Sequence, residues 1–152
     1  MTLSIRPAEP GDADQLLMLV HDHARFERAE ATIALADLAR LLASPTPVRL
    51  TVAEDQGVLL GYTAVTFDYS LWRGRLWAHL DCLFVRATDR NRGTGKRLLG
   101  QALAQALAAG ADRLEWQTPD WNEAAIRFYD REGAACEAKK RFHLPTGSIV
   151  GF

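Results

Sequence analysis

The chain has 152 residues, of which 48% are hydrophobic, and its 18 lysines and arginines nearly balance 19 aspartates and glutamates for a net charge of −1. This length predicts one domain over residues 1–152, and the charge argues against a general binder of nucleic acids or anionic membranes. No apolar run is long enough to cross a bilayer, and Cys82 and Cys136 form no disulfide framework, which together predict a soluble cytoplasmic protein.

The first elements in chain order are a short strand and two helices. Residues 2–6 read as a strand that stops at Pro7, and Gly11-Asp12 can begin a helix with apolar residues at helical spacing. A second helix is expected from about Thr32 to Ala43, because Ser44-Pro45-Thr46-Pro47 ends its apolar pattern.

The remaining elements predict a mixed sheet. Three antiparallel strands, VRLTVAE, VLLGYTAVTF and RLWAHLDCLFV, are separated by the turns DQG and LWRG. A helix then runs to Gly110, DRLEWQT returns as a strand, DWNEAAIRFYDREG forms a helix capped near Asp120 or Asn122, and ACEAKKRFHL forms a last strand. The order β-α-α-β-β-β-α-β-α-β predicts an α/β protein with helices on both faces. Its 80–85 and 114–117 strands run parallel through a right-handed crossover.

A glycine-rich basic loop precedes the third predicted helix. A helix N-terminus offers unpaired N–H groups and the positive end of the dipole, and glycines let a phosphate approach the backbone. Leu98 breaks a dinucleotide-binding fingerprint, and Arg90 and Arg97 break a P-loop. A tight turn with solvated basic side chains stays open as an alternative. The predicted anion site consists of Arg90, Asn91, Arg92, Gly93, Thr94, Gly95 and Lys96.

The spacing Arg90-x-x-Gly93-x-Gly95 resembles the pyrophosphate-binding motif of the GNAT acetyltransferase superfamily. The stretches HLDCLFV, DWNEAAIRFYDREGA and IRPAEPGDADQLLMLVHDHARFE resemble its diamine (spermidine/spermine) and thialysine acetyltransferase branch. The resemblance implies a GNAT fold and acetyl-CoA as cosubstrate, with no metal. It also implies a small-molecule amine acceptor, direct attack in a ternary complex, and a homodimer formed through the tail RFHLPTGSIVGF.

The same resemblance assigns the coenzyme contacts. Backbone groups of Leu83, Phe84 and Val85 would run beside the pantetheine arm, and a helix carrying Asn122, Ala125 and Tyr129 would border it. Asn122 and Tyr129 are two helical turns apart and share a face. The resemblance makes Tyr129 the acid that protonates the leaving thiolate, and an unperturbed phenol, with a pKa near ~10, is protonated at neutral pH. The alternative is a half-buried tyrosine bonded to a backbone carbonyl.

An amine with a pKa near ~10.4 arrives as ammonium, so a base is needed. Strand alternation predicts His79, Asp81, Leu83 and Val85 on one face and Leu80, Cys82 and Phe84 on the other. Asp81 matches the family's strand carboxylate and is our first choice, with Glu115 in reserve. Either could instead pair with an arginine such as Arg113 or Arg75.

The predicted acceptor side adds residues from two elements. Phe26 and Glu27 match substrate-side positions of the family, and Trp116 and Gln117 follow Glu115 on its strand. Polyamine-specific relatives tend to carry adjacent acidic residues where this chain has Asp81-Cys82, which argues against a long polycation and leaves smaller amines or amino-acid side chains open. A protein N-terminus or lysine as acceptor, and a noncatalytic acyl-CoA sensor, remain alternative functions. His21 and His23 diverge by about 200° on their helix, so we expect no shared metal.

Overall fold

The computed structural model describes residues 2–43 and 45–148. The chain divides into two compact units, Met1–Pro119 and Asp120–Phe152. One domain over 1–152 stays a prediction. The first unit contains β1 (Ser4–Pro7), α1 (Ala13–Phe26), α2 (Leu35–Ala43), β2 (Arg49–Asp55), β3 (Val58–Ser70), β4 (Arg75–Val85), α3 (Thr94–Ala108) and β5 (Leu114–Glu115). The second contains α4 (Glu123–Arg131).

The sheet of the first unit has the order β1-β2-β3-β4-β5. The first four strands are antiparallel, and β5 runs parallel to β4, as the sequence predicted. β5 is shorter than the DRLEWQT pattern suggested, because it pairs with β4 only at Ala78/Leu114 and His79/Glu115. The α/β class with a mixed sheet is therefore confirmed.

A β-bulge interrupts β4 at Asp81. Cys82 lies opposite Ala64 and Leu80 lies opposite Val65, which leaves Asp81 as the extra residue. Because one inserted residue reverses the alternation, Leu80 and Cys82 lie on opposite faces. The predicted face assignment is therefore wrong for His79 and Leu80, and the bulge redirects the backbone at Asp81.

Helices cover both faces of this sheet, as predicted. On one face, α1 and α2 bury Leu16, Leu19 and Leu38 against Tyr62 and Phe84. On the other face, Leu98 of α3 packs against Ala53 and Val85. Phe84 and Val85, adjacent in β4, thus anchor the strand in two separate cores.

The start of α1 is fixed by ionic contacts. Asp12 precedes the helix, as expected, but its carboxylate does not cap it. Instead Arg6 donates two hydrogen bonds to Asp12, at 2.7 and 2.9 Å, and a third to Glu54 at 2.8 Å. The hydrogen bonds from Arg6 lower the pKa of Asp12 despite its burial. The ion pair thereby joins β1, β2 and the start of α1.

The second unit begins with a capped helix. The Asn122 side chain accepts a hydrogen bond from the N–H of Ala125 at 3.3 Å, so Asn122, one of the two predicted positions, is the N-cap. The last strand predicted over ACEAKKRFHL is wrong, because residues 134–145 form no strand with any described residue. The side chains of Phe142 and Leu144 are 88% and 86% exposed, so the tract buries little apolar surface. Residues 149–152 of the predicted dimer tail lie outside the described residues.

Within the ranges 2–43 and 45–148, no helix has the length and apolar character needed to span a membrane.

Candidate functional site

β4 has an open edge along the half that follows the bulge. β5 stops opposite His79, so no described strand pairs with Leu80–Val85 on that side. The N–H of Arg86 points toward β3, where it donates to the carbonyl of Leu60 at 2.8 Å. The Val85 carbonyl belongs to the same peptide plane and points the opposite way, to the open edge. Ladder alternation directs the peptide groups of Leu83 to the same edge and those of Phe84 toward β3.

Asp81 presents an exposed carboxylate at the start of this edge. Its Oδ2 lies 3.7 Å from the Sγ of Cys82, which can donate a weak hydrogen bond. No described residue forms an ion pair with Asp81. Its negative charge is therefore available to an incoming cation.

Glu115, the reserve base, is already engaged. Its carboxylate lies 3.4 Å from Arg113 and 3.8 Å from Arg73. The structure thus contains the alternative role of Glu115, an ion pair with Arg113. Beyond β5, Trp116 is half-buried and Gln117 is exposed. These contacts favour Asp81 over Glu115 as the proton acceptor.

The loop between β4 and α3 has the geometry of an anion site. Gly93 adopts φ +82° and directly precedes α3, and no side chain caps the helix. A Cβ built on Gly93 would meet no atom within 4 Å, so the space above it is open. The buried hydroxyl of Thr94, in the first turn, has no hydrogen-bond partner among the described residues. These features fit a phosphate group bound at the helix N-terminus.

Asp89 stabilises the loop between β4 and α3. It accepts hydrogen bonds from Arg86 at 2.9 Å and Thr88 at 2.8 Å, and Arg92 lies 3.8 Å away. Burial alone would raise the pKa of Asp89, but these hydrogen bonds and arginine charges lower it. Arg92 is therefore shared with a carboxylate, whereas the side chain of Lys96 is exposed.

Arg90 points away from the anion site. Its Nε donates to the carbonyl of Val85 at 2.9 Å, and its guanidinium lies 4.6 Å from the ring centre of Phe26 and 5.6 Å from that of Phe84. Such cation–π contacts are worth about 0.5 to 2 kcal/mol. Arg90 therefore joins the loop to the C-terminal end of α1, where Phe26 and Glu27 lie.

Sequence reasoning missed a half-buried histidine beside these residues. His23 Nδ1 lies 2.9 Å from the Tyr62 hydroxyl, and Nε2 lies 3.3 Å from a carboxylate oxygen of Glu27. Its ring stacks on Phe84 at 5.1 Å. A signal was present, because His23 falls at core spacing after Leu16 and Leu19, with Glu27 one turn further.

α4 and its N-cap carry the residues that the family resemblance assigns to the coenzyme, Asn122, Ala125 and Tyr129. The Asn122 side chain is buried at the cap, and Ala125 and Tyr129 are half-buried on the following turns. The Tyr129 ring lies 5.2 Å from that of Phe128. Their contact with a coenzyme stays a prediction.

Comparisons with known proteins agree with this arrangement. A profile described as the acetyltransferase (GNAT) family matches residues 16–134. The thialysine N-epsilon-acetyltransferase of Caenorhabditis elegans is 32% identical over 126 residues, covering 80% of this chain and 76% of that protein. The L-ornithine N5-acetyltransferase of Arabidopsis thaliana is 34% identical over 93 residues, covering 61% of this chain and 41% of that protein. A solved structure of a transcriptional regulator from Bacillus halodurans C-125 has the same fold, with a TM-score of 0.80 at 22% identity, covering 93% of this chain and 99% of that one.

Proposed function

Because the chain belongs to the GNAT family of N-acetyltransferases, we propose that it moves the acetyl group of acetyl-CoA to the primary amine of an amino-acid-like small molecule. The observation that carries the proposal is the open edge of β4, which has the uncapped α3 N-terminus at one end and the unpaired carboxylate of Asp81 at the other. One end suits an anionic coenzyme and the other a cationic acceptor.

The loop and the open edge of β4 would bind different parts of the coenzyme. The N–H groups of Thr94 and Gly95, with the Thr94 hydroxyl, would hold the pyrophosphate at the start of α3. The peptide groups of Leu83 and the N–H of Val85 would hydrogen-bond the amides of the pantetheine arm, as a neighbouring strand does. The bound coenzyme supplies an acyl group activated as a thioester.

The acceptor meets a negative field at the bulge. Asp81 attracts the ammonium and accepts its proton, directly or through water, which frees the nitrogen lone pair for attack. A backbone N–H on the open edge of β4 stabilises the oxyanion. Tyr129 is assigned to protonate the departing thiolate, as the family motif implies.

The acceptor class rests on two supports. The relatives named above are described as acting on thialysine and ornithine, which both carry an amine at the end of a flexible side chain. In this chain Cys82, a neutral thiol, follows Asp81, so only one strand carboxylate faces the acceptor. The absence of a second carboxylate on the strand favours a short amine over a long polycation.

Calorimetry with coenzyme A tests the coenzyme site. Gly93→Asp and Gly95→Asp add negative charge where the pyrophosphate is expected and should reduce affinity at least tenfold, because they remove an anion site. Gly100→Asp is the matched control, since it adds the same charge to the exposed face of α3, where a Cβ meets no atom within 4 Å. Equal affinities in all three folded variants would refute the site.

Thiol release from acetyl-CoA tests the acceptor. We expect the highest kcat/KM with thialysine- or ornithine-like amines among a panel that includes diamines, spermidine and a lysine peptide. Preference for the peptide would indicate a protein acetyltransferase, and coenzyme binding with no turnover on any amine would indicate a sensor.

A further inference from the structure

His23, which is half-buried, and Tyr62, which is buried, form a polar pair that the acetyl-transfer proposal does not use. They come from α1 and β3, and no described charged side chain other than Glu27 bonds to His23. Its imidazole is stacked on Phe84 and edge-on to Tyr62, so its ring orientation is fixed by packing. A polar pair fixed so firmly in an apolar core needs satisfied hydrogen bonds.

The contacts define where each proton lies. Glu27, when ionised, can only accept, so Nε2 of His23 carries a proton and donates to it. Nδ1 is then the acceptor for the Tyr62 hydroxyl. Burial raises the pKa of Tyr62, which keeps its phenol protonated. Burial also lowers the pKa of His23, and the positive charge of Arg90 acts in the same direction. The negative charges of Glu27 and Asp81 oppose this shift without reversing it. The direction of donation is thus from Tyr62 to His23 to Glu27.

Cys82 plays the corresponding part for Asp81. Burial and the nearby charge of Asp81 raise the pKa of the Cys82 thiol to about 12, so the thiol stays protonated and can donate to Asp81 Oδ2, 3.7 Å away. His23 and Cys82, two half-buried neutral donors, therefore each face one carboxylate. His23, which bonds to Glu27, stacks on Phe84, and Cys82, the residue after Asp81, packs against the same cluster of Tyr62 and Phe84. Glu27 and Asp81 therefore both lie beside this cluster.

We propose that His23 is a positioning residue, which fixes the carboxylate of Glu27 so that it and Asp81 together receive the acceptor ammonium. The inference rests on the proposed function. The family resemblance already places Glu27 on the acceptor side, and the inference adds His23 as the residue that fixes the orientation of its carboxylate. Arg90 also contacts the end of α1, because its guanidinium lies over the ring of Phe26, the residue before Glu27. The negative charge of Glu27, oriented by the neutral donor His23, therefore takes the place of a second acidic residue on β4.

Nitrogen-15 NMR tests the proton arrangement without turnover. The His23 resonances, assigned by their loss in His23→Leu, should be those of a neutral ring protonated at Nε2 at pH 7. In Glu27→Gln the Nε2 proton should exchange faster with water, because its charged acceptor is gone. An imidazolium or an Nδ1-protonated ring at pH 7 would overturn the inference.

Steady-state kinetics test the positioning role. His23→Leu should raise KM for the amine about 10- to 100-fold, the range for losing one hydrogen bond to a charged group, with coenzyme affinity within twofold of wild type. In His23→Gln, whose amide can replace the Nε2 donor, KM for the amine should lie between the values of wild type and His23→Leu. His21→Gln, a histidine replacement on another face of α1, should match wild type.

A double-mutant cycle separates positioning from general damage. If His23 acts through Glu27, His23→Leu should have no further effect on KM in the Glu27→Gln background. Additive effects, or an amine KM within twofold of wild type in His23→Leu, would overturn the inference. Wild-type inactivity toward every amine would instead refute the proposed function, and the NMR result would still decide the proton arrangement of His23.

Discussion

Replacing Gly61 by alanine is expected to destabilise the strand pair that forms the open edge. Gly61 lies opposite Val85 in the β3–β4 ladder. An added Cβ would lie 2.4 Å from the carbonyl oxygen of Phe84 and 3.2 Å from Cα and Cγ2 of Val85. The first contact is to backbone, which cannot rotate away, so β4 itself must shift.

Overpacking of this kind costs about 1 to 3 kcal/mol, which corresponds to a fall in Tm of roughly 2 to 12 °C for a chain of this size. Coenzyme affinity should fall as well, because the shift moves the peptide groups of Val85. The control is Gly100→Ala on the exposed face of α3, where an added Cβ would meet nothing outside its own helix within 4 Å. Because alanine is the better helix former, this variant should gain about 0.5 to 1 kcal/mol in the free energy of unfolding. Thermal unfolding of both variants is the assay. A Tm for Gly61→Ala at or above wild type would refute the close-approach argument.

Three further predictions concern other parts of the molecule. Arg90→Met should lower the free energy of unfolding by about 1 to 3 kcal/mol, measured in urea, because the contact with Phe26 and a charged hydrogen bond are lost; an unchanged value would contradict the bracing role. Asp12→Asn should cost about 1.5 to 3 kcal/mol at pH 7 and flatten the stability profile below pH 4. The reason is that Arg6 holds the folded-state pKa of Asp12 below its unfolded value, so wild type loses that contribution as pH falls. Tyr129→Phe should lower kcat about 10²- to 10⁴-fold, with a smaller loss at high pH and little change in Tm; near-normal turnover would remove the acid assignment.

The sequence predicted β4 well, because its apolar run is bounded by a turn and by the glycine loop. The strand spans Arg75–Val85 as the pattern indicated. The bulge at Asp81 was not predictable, because it depends on pairing with β3 and leaves no mark in a single strand's alternation. Strand alternation is therefore an incomplete reason for placing Asp81 at the site, because Asp81 is the extra residue of the bulge.

The sequence did not predict the role of His23, and it wrongly predicted a last strand, for different reasons. The spacing of His23 indicated a core position, but only the fold brings Tyr62 and Glu27 to its two nitrogens. The tract 135–144 follows a helix that closes at Gly133, where a returning strand is expected, but a strand also needs a partner to pair with its backbone groups. No such partner is present among the described residues.

The most direct test of the account is mass spectrometry of a single reaction mixture. Purified protein, acetyl-CoA, thialysine, ornithine, a diamine and a lysine peptide would be incubated together, and each amine analysed for an added acetyl group. We predict acetylation of a side-chain primary amine of thialysine or ornithine, with stoichiometric release of free coenzyme A. Acetylation of the peptide alone, or no acetylated amine from a protein that binds coenzyme A, would contradict the account.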